Sequence, residues 1–173
     1  MCKTKWLITI VLGMTAIARP VAAAAPEPGA VVPSCELRSL RDESTVRLND
    51  YRGSVMLIDF WASWCAPCAQ SFPFLDAVER EFGSAGFKVL GINVDEDRAD
   101  ARAFLAKHAA GFALAADASG ECPEHFVVQA MPSTFLVDRG GRIREVFVGF
   151  RAEDSERMRL GIRKLLSEET AAP

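Results

Sequence analysis

Hydrophobic positions along the chain switch repeatedly between the period of a strand and the period of a helix. The segment CELRSLRDESTVRLNDYRG (35–53) carries two short alternating runs around a polar turn at Arg41 to Ser44, which predicts a β-hairpin. SVMLIDFW (54–61) is a nearly continuous apolar and β-branched run, the mark of a strand covered on both faces. From about Cys65 to Phe82, residues Phe72, Leu75, Val78 and Phe82 recur at helical spacing and stop at Gly83, with Pro73 implying a kink. FKVLGINVD (87–95) reads as a second buried strand, and RADARAFLAKHAA (98–110) as an amphipathic helix closed by Gly111. The mixed charges from Asp95 to Arg102 read as a solvated helix start. A short apolar piece, FALAAD (112–117), precedes a short helix near Pro123 to Val128. STFLVD (133–138) and RIREVFVGF (142–150), joined by Arg139, Gly140 and Gly141, predict a second hairpin. The final helix, Glu153 to Leu166, sets Met158, Leu160, Ile162 and Leu165 along an apolar stripe. Strands alternating with helices and ending in a hairpin predict one α/β domain with a mixed sheet.

The amino terminus follows a different pattern. Lys3 and Lys5 precede an apolar run from Trp6 to Ala18, followed by Arg19, Pro20 and a series of alanines. Such a run falls short of the ~18 residues that read as a membrane span, so residues 1–24 are read as an export signal cleaved before Ala25. An uncleaved membrane anchor is the alternative. The divisions that follow are a leader at 25–33, a domain at 34–168 and a tail at 169–173. The 173 residues carry 20 Lys and Arg against 23 Asp and Glu; without Lys3, Lys5 and Arg19 the balance is 17 against 23, or −6. That charge excludes a phosphate-neutralising surface, so nucleic acid is not an expected partner. A monomer is expected.

Export places the chain where disulfides persist, and after the signal four cysteines remain: Cys35, Cys65, Cys68 and Cys122. The chemistry is concentrated in FWASWCAPC (60–68). Cys65 and Cys68 follow a strand and open a helix one turn apart, close enough to form a disulfide. A thiol in the first turn of a helix meets unpaired N–H groups and the positive end of the dipole, which favour the thiolate. Cys65 is therefore the candidate nucleophile, Cys68 the candidate resolving thiol, and Pro67 suits the first turn because its missing N–H costs nothing there. The pair also admits two other readings, a zinc site and a purely structural disulfide. A zinc site would recruit Cys122 and His125, but those lie more than 50 residues away, unlike knuckle pairs; a purely structural disulfide would close too small a loop to restrain the unfolded chain. His108 and His125 share no motif and read as surface residues, and nothing in the chain calls for a cofactor or a metal.

VMLIDFWASWCAPC, the later Pro73 and AMPSTFLVDRGGRI together resemble the exported thioredoxin-like thiol:disulfide oxidoreductases of the TlpA and ResA type, over roughly Ser34 to Leu166. The resemblance implies a thioredoxin-like three-layer sandwich, with helices on both faces of a mixed central sheet and an N-terminal hairpin. It implies a cis Met131–Pro132 peptide facing the cysteines, with Met131 offering backbone hydrogen bonds to an extended substrate. It matches Trp61 and Trp64 to aromatics beside the site, and Asp59 to a buried acid that takes a proton from the resolving thiol. An acid inside MLIDFW would lose hydration and be pushed toward the range of a general base; the alternative is a strand acid facing water.

The expected activity is reduction of disulfides in other exported proteins, periplasmic or otherwise outside the cytoplasm. Apocytochromes and copper-site proteins are among the candidate substrates, and the resemblance implies a membrane thiol transporter as electron donor. Alternatives are a disulfide oxidase or isomerase, and a metallochaperone holding copper on the same thiols. Two departures bear on the choice. Ser71 stands where this group commonly has an acid, and no acidic motif precedes Pro132, which weakens haem delivery. Ala66-Pro67 lacks the histidine of strongly oxidising relatives, which leans toward the reducing end of a scale spanning ~150 mV. Cys35 and Cys122 remain either as a structural bridge or as two separate buried thiols.

Overall fold

The computed structural model describes residues 26–168 apart from Glu27 and Ala118. The expected signal, its cleavage point and the tail lie outside those residues.

Val55–Trp61 forms β3, buried at every position, as a run with apolar residues on both sides requires. β4 (Phe87–Asn93) lies parallel to it on one side and β6 (Ser133–Val137) antiparallel on the other. β1 (Glu36–Ser39), β2 (Thr45–Arg47), β5 (Ala113–Ala116) and β7 (Ile143–Val148) complete a seven-stranded mixed sheet in the order β2-β1-β5-β4-β3-β6-β7. Helices α1 (Ala66–Phe82), α2 (Arg98–Leu105) and α4 (Asp154–Ser167) bury Phe72, Leu75, Val78, Phe104, Met158 and Ile162 against Val55, Leu57, Phe87 and Val89 on one face. The other face packs Met56, Ile58, Phe60, Leu90 and Ile92 against α3 (Glu121–His125), Phe126, Val32 and Leu48. The architecture is the expected α/β sandwich.

Three local expectations are corrected. α2 ends at Leu105 instead of reaching Ala110: the Lys107 amide closes on the Phe104 carbonyl three residues back, at 2.9 Å, tightening the last turn, and the Gly111 amide is taken by the Asp76 side chain at 2.6 Å. Leu160 is 56% exposed: two residues from Met158 on a helix points the opposite way, so the buried stripe is Met158, Ile162 and Leu165. Asp95 is not solvated but buried, at 4% exposure. Pro73 lies inside α1, which continues through it to Phe82.

Ahead of β1, the leader pairs with the outer edge of the sheet. Gly29 and Val32 donate to the carbonyls of Ile143 and Gly141, at 2.6 and 2.9 Å, and Ile143 donates back to Ala30 at 2.8 Å. Cys35, just before β1, is bonded to Cys122 of α3, with Cα atoms 5.5 Å apart and a sequence separation of 87. Closing a loop of that length removes about 4 to 5 kcal/mol of unfolded-state entropy. The double variant Cys35→Ser/Cys122→Ser is expected to unfold at clearly lower urea concentration than the parent protein while folding to the same far-UV spectrum. An unchanged midpoint would show that the bridge contributes no stability.

Candidate active site

Three parallel strands, β3, β4 and β5, end at one edge of the sheet, and β6 begins there because it runs the other way. The register pairs Phe60 with Ser133, so the turn Ala62–Trp64 leaves that edge beside Met131–Pro132. The Cys65 amide donates to the Ala62 carbonyl at 3.1 Å, closing this turn, and Cys65 then caps α1. Its sulfur accepts the Cys68 amide at 3.2 Å, a first-turn N–H that it shares with the Cys65 carbonyl at 3.1 Å. Ala66 and Pro67 open the helix, so proline occupies the first turn without forfeiting a hydrogen bond. Cys65 and Cys68 are joined as a disulfide, with Cα atoms 5.3 Å apart. Cys68 is fully buried, Cys65 is 4% exposed, and Trp64 beside them is 70% exposed.

The Met131–Pro132 peptide is cis. Pro132 is buried and its carbonyl is taken by the Gly149 amide at 2.7 Å. Among the described residues no other backbone group pairs with the Met131 N–H or C=O. Both are therefore free to receive an extended chain in the manner of strand addition.

Asp59 lies midway along β3, on the same face as Leu57 and Trp61, which share an apolar cluster with Cys65 and Cys68. Its neighbours across the sheet are Thr134 on β6 and Gly91 on β4. Only Thr134 has a side chain to offer, and its hydroxyl donates to Asp59 Oδ1 at 2.6 Å. Oδ2 has no partner. Burial therefore dominates, and it pushes the carboxyl up to about 7 against the opposing pull of the Thr134 hydrogen bond. The solvent-facing alternative for Asp59 does not hold.

Cys122 belongs to the apolar cluster on the opposite face of the sheet from Cys65 and Cys68, so the four-ligand zinc arrangement does not assemble. Two residues at the site escaped the sequence reading. His108 lies half-buried with its ring 4.6 Å from that of Phe104, in an open groove of about 490 Å³ that Trp64, Cys65, Phe104 and Lys107 also line. The spacing from Phe104 to His108, one helical turn, was the available signal. Asp95 is the second; its carboxylate takes hydrogen bonds from Ser63, two residues before Cys65. A larger cavity, about 560 Å³, opens by Ser39, Arg41 and Leu114 and holds no cysteine.

Residues 27–160 match the Redoxin family model. The chain belongs to the Redoxin family. It is 28% identical over 130 residues to the thiol-disulfide oxidoreductase ResA of Geobacillus kaustophilus (strain HTA426), covering 75% of this chain and 74% of that one. A Chlorobium tepidum protein assigned as a thiol:disulfide interchange protein DsbE superposes with a TM-score of 0.79 at 38% identity, over 83% of this chain and all of that one (100%). A secreted thiol-disulfide isomerase of Corynebacterium glutamicum gives a TM-score of 0.70 at 27% identity, over 79% and 86% of the two chains. This Redoxin protein is a thioredoxin-like thiol:disulfide oxidoreductase of the TlpA and ResA type, acting on disulfide-bearing proteins.

The position of Asp59 makes stability depend on pH in a definite sense. An ordinary aspartate titrates near 3.9, and the folded protein holds Asp59 near 7, so the fold favours the protonated form. Its contribution is complete below the ordinary aspartate range and is lost as the pH rises through about 7. Asp59→Asn, uncharged at every pH, is therefore expected to melt higher than the parent protein at pH 8.5 and to gain nothing at pH 4. Thermal unfolding of the oxidised proteins across that range checks this. A constant offset would place the titration elsewhere.

Proposed function

We propose that this protein reduces disulfides in other exported proteins, with Cys65 as nucleophile, Cys68 as resolving thiol and Asp59 as proton acceptor. The observation that carries the reading is the Cys65 sulfur at the first turn of α1, receiving the Cys68 amide, together with the buried Asp59 carboxyl, one oxygen of which has no partner among the described residues, on the face of β3 that packs into the same apolar cluster. In the reduced protein the Cys65 thiolate attacks one sulfur of a substrate disulfide. That S–S bond breaks, its other sulfur leaves as a thiolate that takes a proton from water, and a mixed disulfide remains on Cys65. Asp59 accepts the Cys68 proton, and Cys68 attacks the Cys65 sulfur. The second substrate sulfur leaves as a thiolate and takes the proton held by Asp59, and the protein is left with the Cys65–Cys68 bond while two electrons have passed to the substrate. Met131 and Pro132 hold the substrate in extended form, and Trp64 and Pro67 line its approach.

The direction rests on Ala66-Pro67, which supplies no imidazolium to stabilise the reduced thiolate. The two disulfides among the described residues and the secreted relative support export through residues 1–24. A thiol donor at the membrane would regenerate the reduced form. No helix among the described residues is long and apolar enough to cross a membrane. The Cys35–Cys122 bridge is assigned a structural role, and the protein acts as a monomer.

Equilibration against glutathione is expected to place the Cys65–Cys68 pair below about −200 mV, with reduced protein precipitating insulin. A potential near −120 mV would make it an oxidase. Stoichiometric copper on reduced protein without insulin reduction would make it a metallochaperone. Cys68→Ser should accumulate mixed disulfides on Cys65 in cells, whereas Cys65→Ser should capture nothing. Capture by Cys65→Ser instead would reverse the assigned order of attack.

A further inference from the structure

We propose that Asp95 is a positioning residue for thiol–disulfide exchange, a clamp that sets the Ala62–Trp64 turn and through it the Cys65 sulfur. The proposal rests on the reading of Cys65 as the attacking group. Asp95 follows β4 and is 4% exposed, in a stretch whose other acids, Glu96 and Asp97, lie on the exposed side of the turn. A carboxylate only accepts hydrogen bonds, and this one is engaged on both oxygens. The Ser63 amide reaches Oδ2 at 2.9 Å and Oδ1 at 3.1 Å, and the Ser63 hydroxyl donates to Oδ1 at 3.0 Å. The amide of the fully buried Asn93 side chain donates to Oδ2 at 2.8 Å, while Asn93 Oδ1 accepts the Asp95 N–H at 3.2 Å. The Val94 amide adds a bond to the Trp61 carbonyl at 3.1 Å.

Among the described residues these are the only side-chain hydrogen bonds made to the segment from Ala62 to Trp64. That segment lies between the last residue of β3 and the cap of α1, with a mostly exposed tryptophan on it. Its own backbone contributes only the Cys65-to-Ala62 bond. Without Asp95 the turn would be free to pivot, and the sulfur would leave its alignment with the helix amides. Displacement of a reacting atom by about 1 Å costs on the order of 100-fold in rate. Asparagine is nearly isosteric but presents one N–H₂ where both carboxylate oxygens now face donors, so it breaks half the clamp.

Asp95→Asn, Asp95→Glu, Ser63→Ala and the Asp95→Asn/Ser63→Ala double variant, in the otherwise intact chain, test this. Each is assayed, at a temperature where it is fully folded, for insulin reduction and for amide exchange at Ser63. Asp95→Asn is expected to lose roughly tenfold in kcat with KM unchanged, and to lose protection at the Ser63 amide while α1 keeps its own. Ser63→Ala keeps the backbone bond and should lose less. The double variant should be no slower than Asp95→Asn alone within about twofold, because both act through one contact. Asp95→Glu, still an acceptor on both oxygens, should recover part of the rate. Parent-like kcat in Asp95→Asn, or single-variant losses that multiply in the double, overturns the clamp. Retained insulin reduction in Cys65→Ser would instead overturn the assignment of the attacking sulfur, a separate result from anything seen at Asp95.

Discussion

A carboxyl group placed in a strand covered on both faces is the constraint around which the rest of this structure is arranged. β3 earns its central place by being apolar, and the same burial that makes it a good core strand strips Asp59 of water. The sheet offers little compensation. On one side stands Thr134, which can give one hydrogen bond, and on the other Gly91, which has no side chain. The missing side chain at position 91 leaves space into which Trp61, Phe112 and Leu114 close, each within 3.2 Å of where a Cβ would sit. Aromatic and aliphatic packing over Gly91 and the poor solvation of Asp59 are thus one arrangement seen from two sides. The result is an acid pushed up to about 7 by its burial, on the face of β3 whose neighbours Leu57 and Trp61 share an apolar cluster with Cys65 and Cys68.

The two disulfides illustrate how sequence separation divides duties between chemically identical bonds. Cys65 and Cys68 are separated by 3 positions, so their bond removes little freedom from the unfolded chain and can open and close with little consequence for folding. Cys35 and Cys122 are separated by 87 and span the sheet's second face, where opening would release far more chain. The first lies at the strand-end edge, next to an exposed tryptophan and an open groove. The second is held between β1 and α3, with the Cys122 amide bound to the buried Asp117 at 2.6 Å.

The sequence was most readable where one period dominated over many residues. β3, β4, α1 and the β6–β7 hairpin were all anticipated, because runs such as VMLIDFW and the Phe72, Leu75, Val78 series leave few alternatives. Legibility failed where tertiary contacts reverse a local preference. Asp95 sits among Glu96, Asp97 and Arg98, and nothing in that charge pattern distinguishes the residue that turns inward. Its partners lie 32 and 2 positions away, and only the β3–β4 register brings Ser63 to it. At Leu160 the composition points inward and the helix angle outward: it is apolar like Met158 and Ile162 but lies about 200° round the helix from each, and it is exposed. The cysteine pair was legible because its chemistry is local, whereas the groove beside it depends on how α2 lies across the sheet edge.

The leader's attachment to β7 also fixes an orientation. Its hydrogen bonds engage Gly141 and Ile143, at the turn end of the β6–β7 hairpin, whereas Ser133 and Val148 close the other end beside Met131–Pro132. The chain therefore enters the domain at the pole opposite the sulfurs. From Gly29 to Val32 the chain thus lies against the Gly141 end of the hairpin and leaves the opposite end of the sheet, where Trp64 is 70% exposed, uncovered by this segment.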